Sequence, residues 1–259
     1  MANQQTAKFT IIVTLVMCIV ASVLVAGSVV ILRPYQEANK SLDFKRNVLS
    51  IAGILDENKS VEEQFKTVEV KMVDLDAGRF TDAVPNVEGF NGRSAAKDTS
   101  QSQELSADED FAKIGRRENY SQIFLVKDDA GELTSVILPV RGYGLWSTMM
   151  GFVALDKDLN TVVGFGFYEH AETPGLGGEI DNPKWKAQWL GKKIYSDSGD
   201  VKVQVMKGHV DPAAADVEFK ADGLAGATLT SNGVDYLLKF WMGDKGFKPF
   251  LKNLKNGEA

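Results

Sequence analysis

The chain has little of the residue types that build metal centres and covalent cross-links. Its 259 residues include a single cysteine, Cys18, and two histidines, His170 and His209. One thiol excludes a disulfide within the chain, and it excludes the multi-thiolate ligand sets of iron–sulfur clusters and structural zinc sites. With so few histidines, a metal centre is not expected either. Any redox chemistry therefore has to come from an organic cofactor.

Clustered basic charge is also scarce along the sequence. There are 29 Lys and Arg residues against 35 Asp and Glu residues, which gives a net charge of -6. Proteins that bind nucleic acid need a cationic patch to follow the phosphate backbone, so nucleic acid is not expected as a partner. Hydrophobic residues make up 44% of the chain, which is enough to build the core of one sizeable domain.

Uncharged apolar sequence is concentrated near the N-terminus. Residues 9–32 contain no charged side chain, and at ~1.5 Å per helical residue this run is long enough to cross a ~30 Å hydrocarbon core. We predict a transmembrane helix there, after a short tail at residues 1–8. A cleaved signal peptide is the alternative, but its apolar region is usually ~7–15 residues long. The span has no charged group to relay an ion, so any ion pathway lies in partner subunits.

The remainder of the chain divides by composition into two parts. Residues 33–118 are predicted to form a helical stalk, a first strand at 68–72 and a polar surface excursion with little structure at 81–118. Residues 119–259 are predicted to form the main domain. Four segments read as strands joined by short turns, which favours antiparallel pairing. They are residues 122–126, 135–140, 149–156 and 161–168. The expected fold class is α+β, with one N-terminal transmembrane helix followed by a single soluble domain with a mostly antiparallel sheet and flanking helices.

A glycine- and alanine-rich turn precedes an apolar helical pattern near the C-terminus. The turn runs from Asp222 to Thr228, and the helix is predicted to continue through Phe240. Exposed backbone amides and the helix dipole make such a place suitable for a phosphate group. The alternative is an ordinary helix start in which Thr230 or Ser231 is the capping residue.

Two further stretches contain glycine beside polar and aromatic residues. The segment 141–148 joins two predicted strands and includes Gly144, Trp146 and Ser147. This segment either binds a ligand that has a ring and a polar tail, or it is only a connection between two strands in which the tryptophan packs against the protein. In the segment 170–178, Pro174 and Gly175 fix a sharp turn. His170 at its start is expected to be a hydrogen-bonded structural residue.

Two of these stretches resemble the signatures of the FMN-binding domain family. The first, Asp-x-x-(Ser/Thr)-Gly-Ala-Thr, is matched by Asp222, Gly226, Ala227 and Thr228, with Ala225 in place of the usual hydroxyl residue. The second is a His-x-Glu-Thr-Pro-Gly-Leu-Gly loop, matched from His170 onwards. The resemblance implies that a flavin transferase attaches FMN to Thr228 through a phosphoester.

The resemblance also implies a set of cofactor-binding residues around that threonine. Leu176 is expected to cover a face of the flavin ring. Lys207 follows a predicted strand at 201–205 on its apolar side, so it either extends to water or meets the FMN phosphate or the flavin edge. No catalytic or metal-binding residue is expected. The full set is Asp222, Gly226, Ala227, Thr228, Leu229, Thr230, Glu172, Thr173, Gly175, Leu176, Gly144, Trp146, Ser147 and Lys207.

The family resemblance carries an expected function. Within this family, the sequence of residues 178–183 resembles that of the subunits of quinone reductases more than that of other members. The chain is then an electron-carrying subunit, inactive alone, of a membrane complex that oxidises NADH, reduces quinone and exports sodium ions. Its partners are the other membrane and flavoprotein subunits, and a flavin transferase during maturation. The alternatives are the equivalent subunit of an ion-translocating ferredoxin:NAD reductase, or an anchored binding module without flavin.

Two arguments disagree about which side of the membrane holds the domain. Lys8 precedes the apolar run, whereas Arg33, Lys40, Lys45 and Arg46 follow it, so the positive-inside rule places the domain in the cytoplasm. The resemblance implies the periplasm, where the flavin transferase acts. Because the charge rule is weak where a long domain follows the helix, we predict a single-pass protein of the bacterial inner membrane with a periplasmic domain.

Overall fold

The structure, a computed structural model, describes residues 7–259. Most of the predicted N-terminal tail, residues 1–6, lies outside the described residues. Helix α1 extends from Ala7 to Ile51 and contains Pro34. Proline removes one backbone donor but does not end the helix here, so the apolar span and the predicted stalk form one continuous element. Within the described residues, α1 is the one helix long and apolar enough to cross a membrane.

The chain divides into two compact units between Lys45 and Arg46. The second unit, Arg46–Ala259, contains the end of α1 and all later elements. Its helices are α2 (Val61–Phe65), α3 (Gly92–Lys97), α4 (Pro183–Ala187), α5 (Thr228–Trp241) and α6 (Lys248–Asn256). Its strands are β1 (Val68–Asp74), β2 (Arg79–Phe80), β3 (Ser102–Glu104), β4 (Arg116–Glu118), β5 (Tyr120–Lys127), β6 (Leu133–Tyr143), β7 (Thr148–Asp156), β8 (Val162–Glu169), β9 (Gln204–Val205) and β10 (Lys220–Ala221).

The main sheet of the described residues has the strand order β2-β1-β5-β6-β7-β8, and every neighbouring pair is antiparallel. The predicted α+β class and the antiparallel pairing of the four predicted strands, β5 to β8, are therefore confirmed. Strand β1 pairs with β5 along its whole length, from Val68 opposite Val126 to Asp74 opposite Tyr120. A strand from the predicted 33–118 region thus belongs to the same sheet as residues 119–259.

Both faces of this sheet are buried, because helices pack on each. On one face, side chains such as Leu138 and Val153 share a core with α5, which contributes Val234 and Leu237. On the other face, the Phe124 ring packs edge-on against Phe65 of α2 and Phe152 of β7. The helix α5 is thereby fixed across the sheet, and its first residue is held at one place on the domain surface.

The prediction of little structure at residues 81–118 is wrong. The segment contains α3 and the antiparallel pair β3–β4, with Glu104 opposite Arg116. Arg117 and Glu118 are each only 2% exposed, although both are charged. Arg117 forms an ion pair with Asp76, whose side chain is half exposed, and Glu118 forms one with the buried Arg141. The polar composition did not indicate this order, because charged residues that are buried and paired cannot be distinguished from solvated ones in a sequence.

A smaller prediction also changes. The predicted strand at 201–205 is reduced to β9, which pairs in parallel with β10. Before it in the chain, a 3-10 turn at Gly177–Asp181 is followed by the short helix α4. Asn182 caps α4 by accepting a hydrogen bond from the Lys184 amide at 3.0 Å, and Pro183 occupies the first turn, where its missing N–H costs nothing.

Candidate functional site

The helix α5 begins at Thr228 itself, with Ala227 in the capping position and no side chain bonded to the first turn. The alternative in which Thr230 or Ser231 caps the helix is therefore wrong. The first intrahelical bond runs from the Ser231 amide to the Ala227 carbonyl at 3.0 Å. The amides of the three preceding residues have no partner within the helix, and Thr228 and Leu229 are exposed. The start of α5 therefore offers backbone donors and a hydroxyl at the surface.

The turn before α5 is held rigidly by the helix. The Ser231 hydroxyl accepts a hydrogen bond from the Leu224 amide at 2.9 Å and donates one to the Ala227 carbonyl at 3.1 Å. Gly226 has φ +71°, a left-handed conformation that side chains disfavour. Asp235, two turns into α5, accepts a hydrogen bond from the Val205 amide and so fastens the helix to β9. These contacts fix the direction in which Thr228 points.

Glu172 connects the turn between β6 and β7 to this helix. Its carboxylate accepts hydrogen bonds from the amides of Leu145 at 3.2 Å, Trp146 at 3.0 Å and Ser147 at 3.2 Å. The Thr230 hydroxyl donates to the same carboxylate at 2.7 Å. Glu172 is only 4% exposed, so its oxygens are directed into the protein. It holds together three segments that lie far apart in the sequence.

The electrostatics of Glu172 follow from these contacts. Burial raises the pKa of the carboxyl, but the hydrogen bonds from Thr230 and from the amides of residues 145–147 outweigh it, so the pKa lies below its ordinary value. The group is therefore ionised at neutral pH. Its charge is balanced by neutral donors, and no cation forms an ion pair with it among residues 7–259.

Two glycines are required for the close approach of these segments. A β-carbon on Gly144 would lie 2.6 Å from Glu172 Oε1, and one on Gly177 would lie 2.5 Å from Thr230 Oγ1. Neither distance is compatible with a side chain. Gly144 was predicted as a site residue, whereas Gly177 and Leu145 were missed. The second family signature includes Gly177, so the repeated glycine there was the available signal.

Large apolar side chains are exposed on the segments that Glu172 joins. Trp146 is 65% exposed, Leu176 is 46% exposed and Leu229 is 57% exposed. A β-carbon on Gly226 would lie 3.2 Å from the Leu176 side chain, so Leu176 lies directly beside the turn that precedes Thr228. Gly175, with φ +77°, produces the bend that brings it there. Exposed apolar groups beside free amide donors form a surface of the kind that a ring with a phosphate tail would cover.

The remaining predicted residues have other surroundings. The Asp222 carboxylate accepts hydrogen bonds from the Val210 amide and His209, each at 2.8 Å, and so fastens the preceding loop. Burial raises the pKa of Asp222, but these two hydrogen bonds lower it by more. The pKa of Asp222, like that of Glu172, is therefore below its ordinary value. Thr173 is exposed, and its carbonyl accepts from the Gly178 amide. Lys207 is exposed. Among the described residues it forms no ion pair with a residue of the turn before Thr228.

His170 has the structural role that was predicted. Its Nδ1 accepts a hydrogen bond from the Glu172 amide at 3.1 Å, so the ring proton is on Nε2, which faces Asp181 at 2.7 Å. The Ser147 hydroxyl also accepts a hydrogen bond from the Ala171 amide, at 2.7 Å. Both contacts align the 170–178 loop with the 144–147 turn.

The donor set of this site fits FMN. The start of α5 supplies backbone amides and a hydroxyl for a phosphate, and Trp146, Leu176 and Leu229 supply exposed apolar surface for a ring. A family model described as the FMN-binding domain matches residues 144–243, which include the turn, the loop and α5.

Comparison with known proteins extends this match to the whole chain. The chain is 54% identical to the C subunit of the Na(+)-translocating NADH-quinone reductase of Pseudomonas aeruginosa, and the alignment covers 100% of both. The crystal structure of Shewanella oneidensis NqrC is similar with a TM-score of 0.78 at 36% identity, covering 85% of this chain and 99% of that one. The crystal structure of the same reductase component from Parabacteroides distasonis gives a TM-score of 0.66 at 28% identity, over 85% and 96% of the two chains. With full-length identity at this level and a shared fold, the chain belongs to the NqrC family, the C subunits of the Na(+)-translocating NADH-quinone reductases.

Proposed function

We propose that this protein is a membrane-anchored flavoprotein subunit that carries electrons through FMN attached covalently to Thr228. The observation that carries the proposal is the exposed Thr228 hydroxyl at the uncapped start of α5, where the amides of the first turn have no partner within the helix and would face a phosphate. A phosphoester to that hydroxyl leaves the phosphate at the positive end of the helix dipole. The tether keeps the flavin on the protein while it exchanges electrons with partner subunits.

The surrounding residues divide into two groups by what they do for the cofactor. Trp146, Leu176 and Leu229 would contact the ring, because their apolar side chains are exposed on the segments around the turn. Glu172 and Thr230 act indirectly, because their polar atoms hold the loops in place. Asp222, Gly226 and Ala227 shape the turn itself, and Thr173, Gly175, Gly144 and Ser147 shape the neighbouring loops. Lys207 is exposed, which leaves its ammonium group available to an anion.

FMN supplies the electron-transfer chemistry, and the protein supplies its binding and orientation. The relatives are named as subunits of a Na(+)-translocating NADH-quinone reductase. We therefore assign this chain to such a complex, where its partners are the other membrane and flavoprotein subunits. A flavin transferase attaches the cofactor during maturation. Helix α1 fits a single-pass anchor in the inner membrane, and residues 9–32 contain no charged side chain that could contribute to ion transport.

Replacing the acceptor hydroxyl tests the attachment. Thr228→Val keeps the shape of the side chain but removes the nucleophile, so we expect a folded, membrane-bound protein without covalent FMN. The measurement is flavin fluorescence of the chain on a denaturing gel, together with the intact mass. Thr228→Ser is the matched control, because it keeps a hydroxyl at the same place. A fluorescent band of undiminished intensity in Thr228→Val would remove this residue from the proposal.

The side of the membrane is tested separately. A flavin transferase that acts in the periplasm requires the domain there, although the four cations after the apolar run favour the cytoplasm. We expect protease added to spheroplasts to digest the domain that begins at Arg46. A cytoplasmic protein serves as the control for intact inner membranes. If the domain resists until the inner membrane is broken, it is cytoplasmic, and the charge rule gave the correct side.

A further inference from the structure

A cleft of about 430 Å³ opens on the domain surface and is lined mainly by cations. Five of its nine lining residues are Lys or Arg, although the whole chain has a net charge of -6. None of the fourteen residues predicted to bind FMN lines it. The cations are Arg93, Lys97, Lys113, Arg116 and Arg141, and Thr148 lies among them.

The three arginines of the cleft have carboxylate partners. Arg93 pairs with Glu169 at 2.8 Å, Arg116 with Glu104 at 3.3 Å and Arg141 with Glu118 at 2.5 Å. Arg141 is 6% exposed, so one fixed and buried charge lies in the wall. The guanidinium of Arg116 also donates to the hydroxyl and carbonyl of Ser102, which fixes its position.

The two lysines of the cleft differ from the arginines. Lys97 and Lys113 are exposed, and no ion pair joins either one to a carboxylate within residues 7–259. The acidic neighbour of Lys97 in sequence, Asp98, accepts hydrogen bonds from Ser100 and Gln101. The acidic neighbour of Lys113, Asp110, accepts hydrogen bonds from the amides of Ile114 at 2.7 Å and Gly115 at 2.9 Å. Its oxygens are thus directed at the backbone of the loop. After the three arginine–carboxylate pairs are discounted, Lys97 and Lys113 remain as the cleft cations without an ion-pair partner among the described residues.

The loop that carries Lys113 is held in an uncommon conformation. Lys113 has φ +54°, a left-handed value that costs a residue with a side chain about 1 kcal/mol. The two hydrogen bonds to Asp110 and the bond from the Arg116 amide to the Ile114 carbonyl at 2.8 Å maintain it. The position of Lys113 on the cleft rim is therefore set by the loop.

We propose that this cleft binds a small dianionic oxyanion, of the class of phosphate and phosphate monoesters, with Lys97 and Lys113 as the counter-charges. Two ammonium groups without carboxylate partners match a dianion, and lysine serves as a point-charge ligand for phosphate. Thr148, whose side chain has a hydroxyl, also lines the cleft. A volume of about 430 Å³ is in the usual range for small-molecule pockets.

The cleft adjoins the proposed flavin site through one strand. Thr148 is the first residue of β7, pairs with Tyr143, and directly follows the turn whose amides bond to Glu172. An anion bound there changes the electrostatic potential near the flavin without contacting the residues assigned to it. Its binding does not require FMN, so the Thr228→Val protein is expected to bind the anion as the parent does.

The experiment is a calorimetric titration of the full chain in detergent with inorganic phosphate at low ionic strength, where charge interactions are least screened. We expect saturable binding to the parent. In the double variant Lys97→Gln/Lys113→Gln the affinity falls about tenfold or more, because two charges near the ligand are lost. The matched control is Lys157→Gln/Lys252→Gln, which removes the same charge from exposed lysines outside the cleft lining. Its affinity stays within about twofold of the parent's.

Either of two results would overturn the proposal: no saturable binding to the parent at millimolar phosphate, or equal affinities in the cleft and control variants. A repeat in nanodiscs compares phosphatidylcholine with phosphatidylglycerol. Similar affinity in both supports a dissolved anion as the ligand. Loss of phosphate binding only in the anionic lipid means that a lipid headgroup occupies the cleft in such a membrane, which overturns the assignment of a dissolved anion as its ligand there.

Discussion

Two buried glutamates in this domain are stabilised in opposite ways. Glu118 is 2% exposed, and its carboxylate faces the guanidinium of Arg141. Glu172 is 4% exposed, and its carboxylate receives only backbone amides and one hydroxyl. The first is a buried ion pair, and the second is a buried anion balanced by dipoles. Both carboxylates join segments distant in sequence, so the difference lies in the donors.

The type of hydrogen-bond donor around each glutamate corresponds to the structural role of its region. The Glu118–Arg141 pair attaches β4 to β6, and the Trp241 indole packs below Arg141, with the guanidinium 5.1 Å from the ring centre. Removing either charge leaves the other buried and unpaired. Around Glu172 the donors are the amides of the 144–147 turn, which exist only when the turn is correctly folded. Glu172 thus specifies the loop geometry of the proposed flavin site without adding a cation there.

The largest effect is expected from Glu118→Gln. The substitution preserves volume but removes the charge that balances Arg141, and its amide N–H groups oppose the guanidinium donors. We expect the free energy of unfolding to fall by about 3–5 kcal/mol, as for other broken buried ion pairs. Chemical denaturation of the full chain in detergent, followed by tryptophan fluorescence, measures it.

The double variant Glu118→Gln/Arg141→Met is the control for this effect. Removing the unpaired guanidinium as well restores part of the lost stability, because no uncompensated charge remains buried. A loss below about 1 kcal/mol in Glu118→Gln alone would mean that the pair behaves like a surface salt bridge, and the comparison with Glu172 would lose its basis.

Much of the fold follows from local sequence pattern. The strands β5 to β8 were predictable because short turns separate alternating apolar segments, and α5 because small residues precede an apolar helical pattern. The limits of β9 were not predictable. Val201 lies outside any regular strand and forms an isolated bridge with Tyr195. Val203 packs into the core although it precedes β9, so apolar alternation there extends beyond the paired residues.

The site was predictable only in part, for a physical reason. The motif at Thr228 and the loop at Glu172 are contiguous in sequence, so their resemblance to a family is visible without a structure. The bond between Glu172 and Thr230 spans 58 residues, and nothing local indicates it. The basic cleft was missed for the same reason, because its cations come from positions between 93 and 141 in a chain that is acidic overall.

The low pKa of Glu172 has a consequence for stability in acid. Its ordinary value is 4.5, and the folded value is lower, because the donor hydrogen bonds outweigh burial. A carboxyl with a lowered pKa contributes stability that is fully present above its unfolded pKa and is lost as the pH falls through the folded pKa. The contribution of Glu172 is therefore complete at pH 7 and decreases below about pH 4.5.

A smaller effect is expected from Glu172→Gln, the same substitution at the second buried carboxylate. The glutamine oxygen still accepts from the amides of the 144–147 turn, and its NH₂ group donates to the Thr230 hydroxyl, which rotates to accept. Charge-assisted bonds become neutral ones, so we expect a loss of about 1–2 kcal/mol at pH 7, below that of Glu118→Gln. The variant also loses less stability than the parent between pH 5 and the acid limit, because the titrating group is gone. Denaturation at pH 7 and pH 4 measures both effects, with the exposed Glu132→Gln as control. An equal loss at positions 118 and 172 would show that buried charge alone, and not the kind of donor, sets the cost.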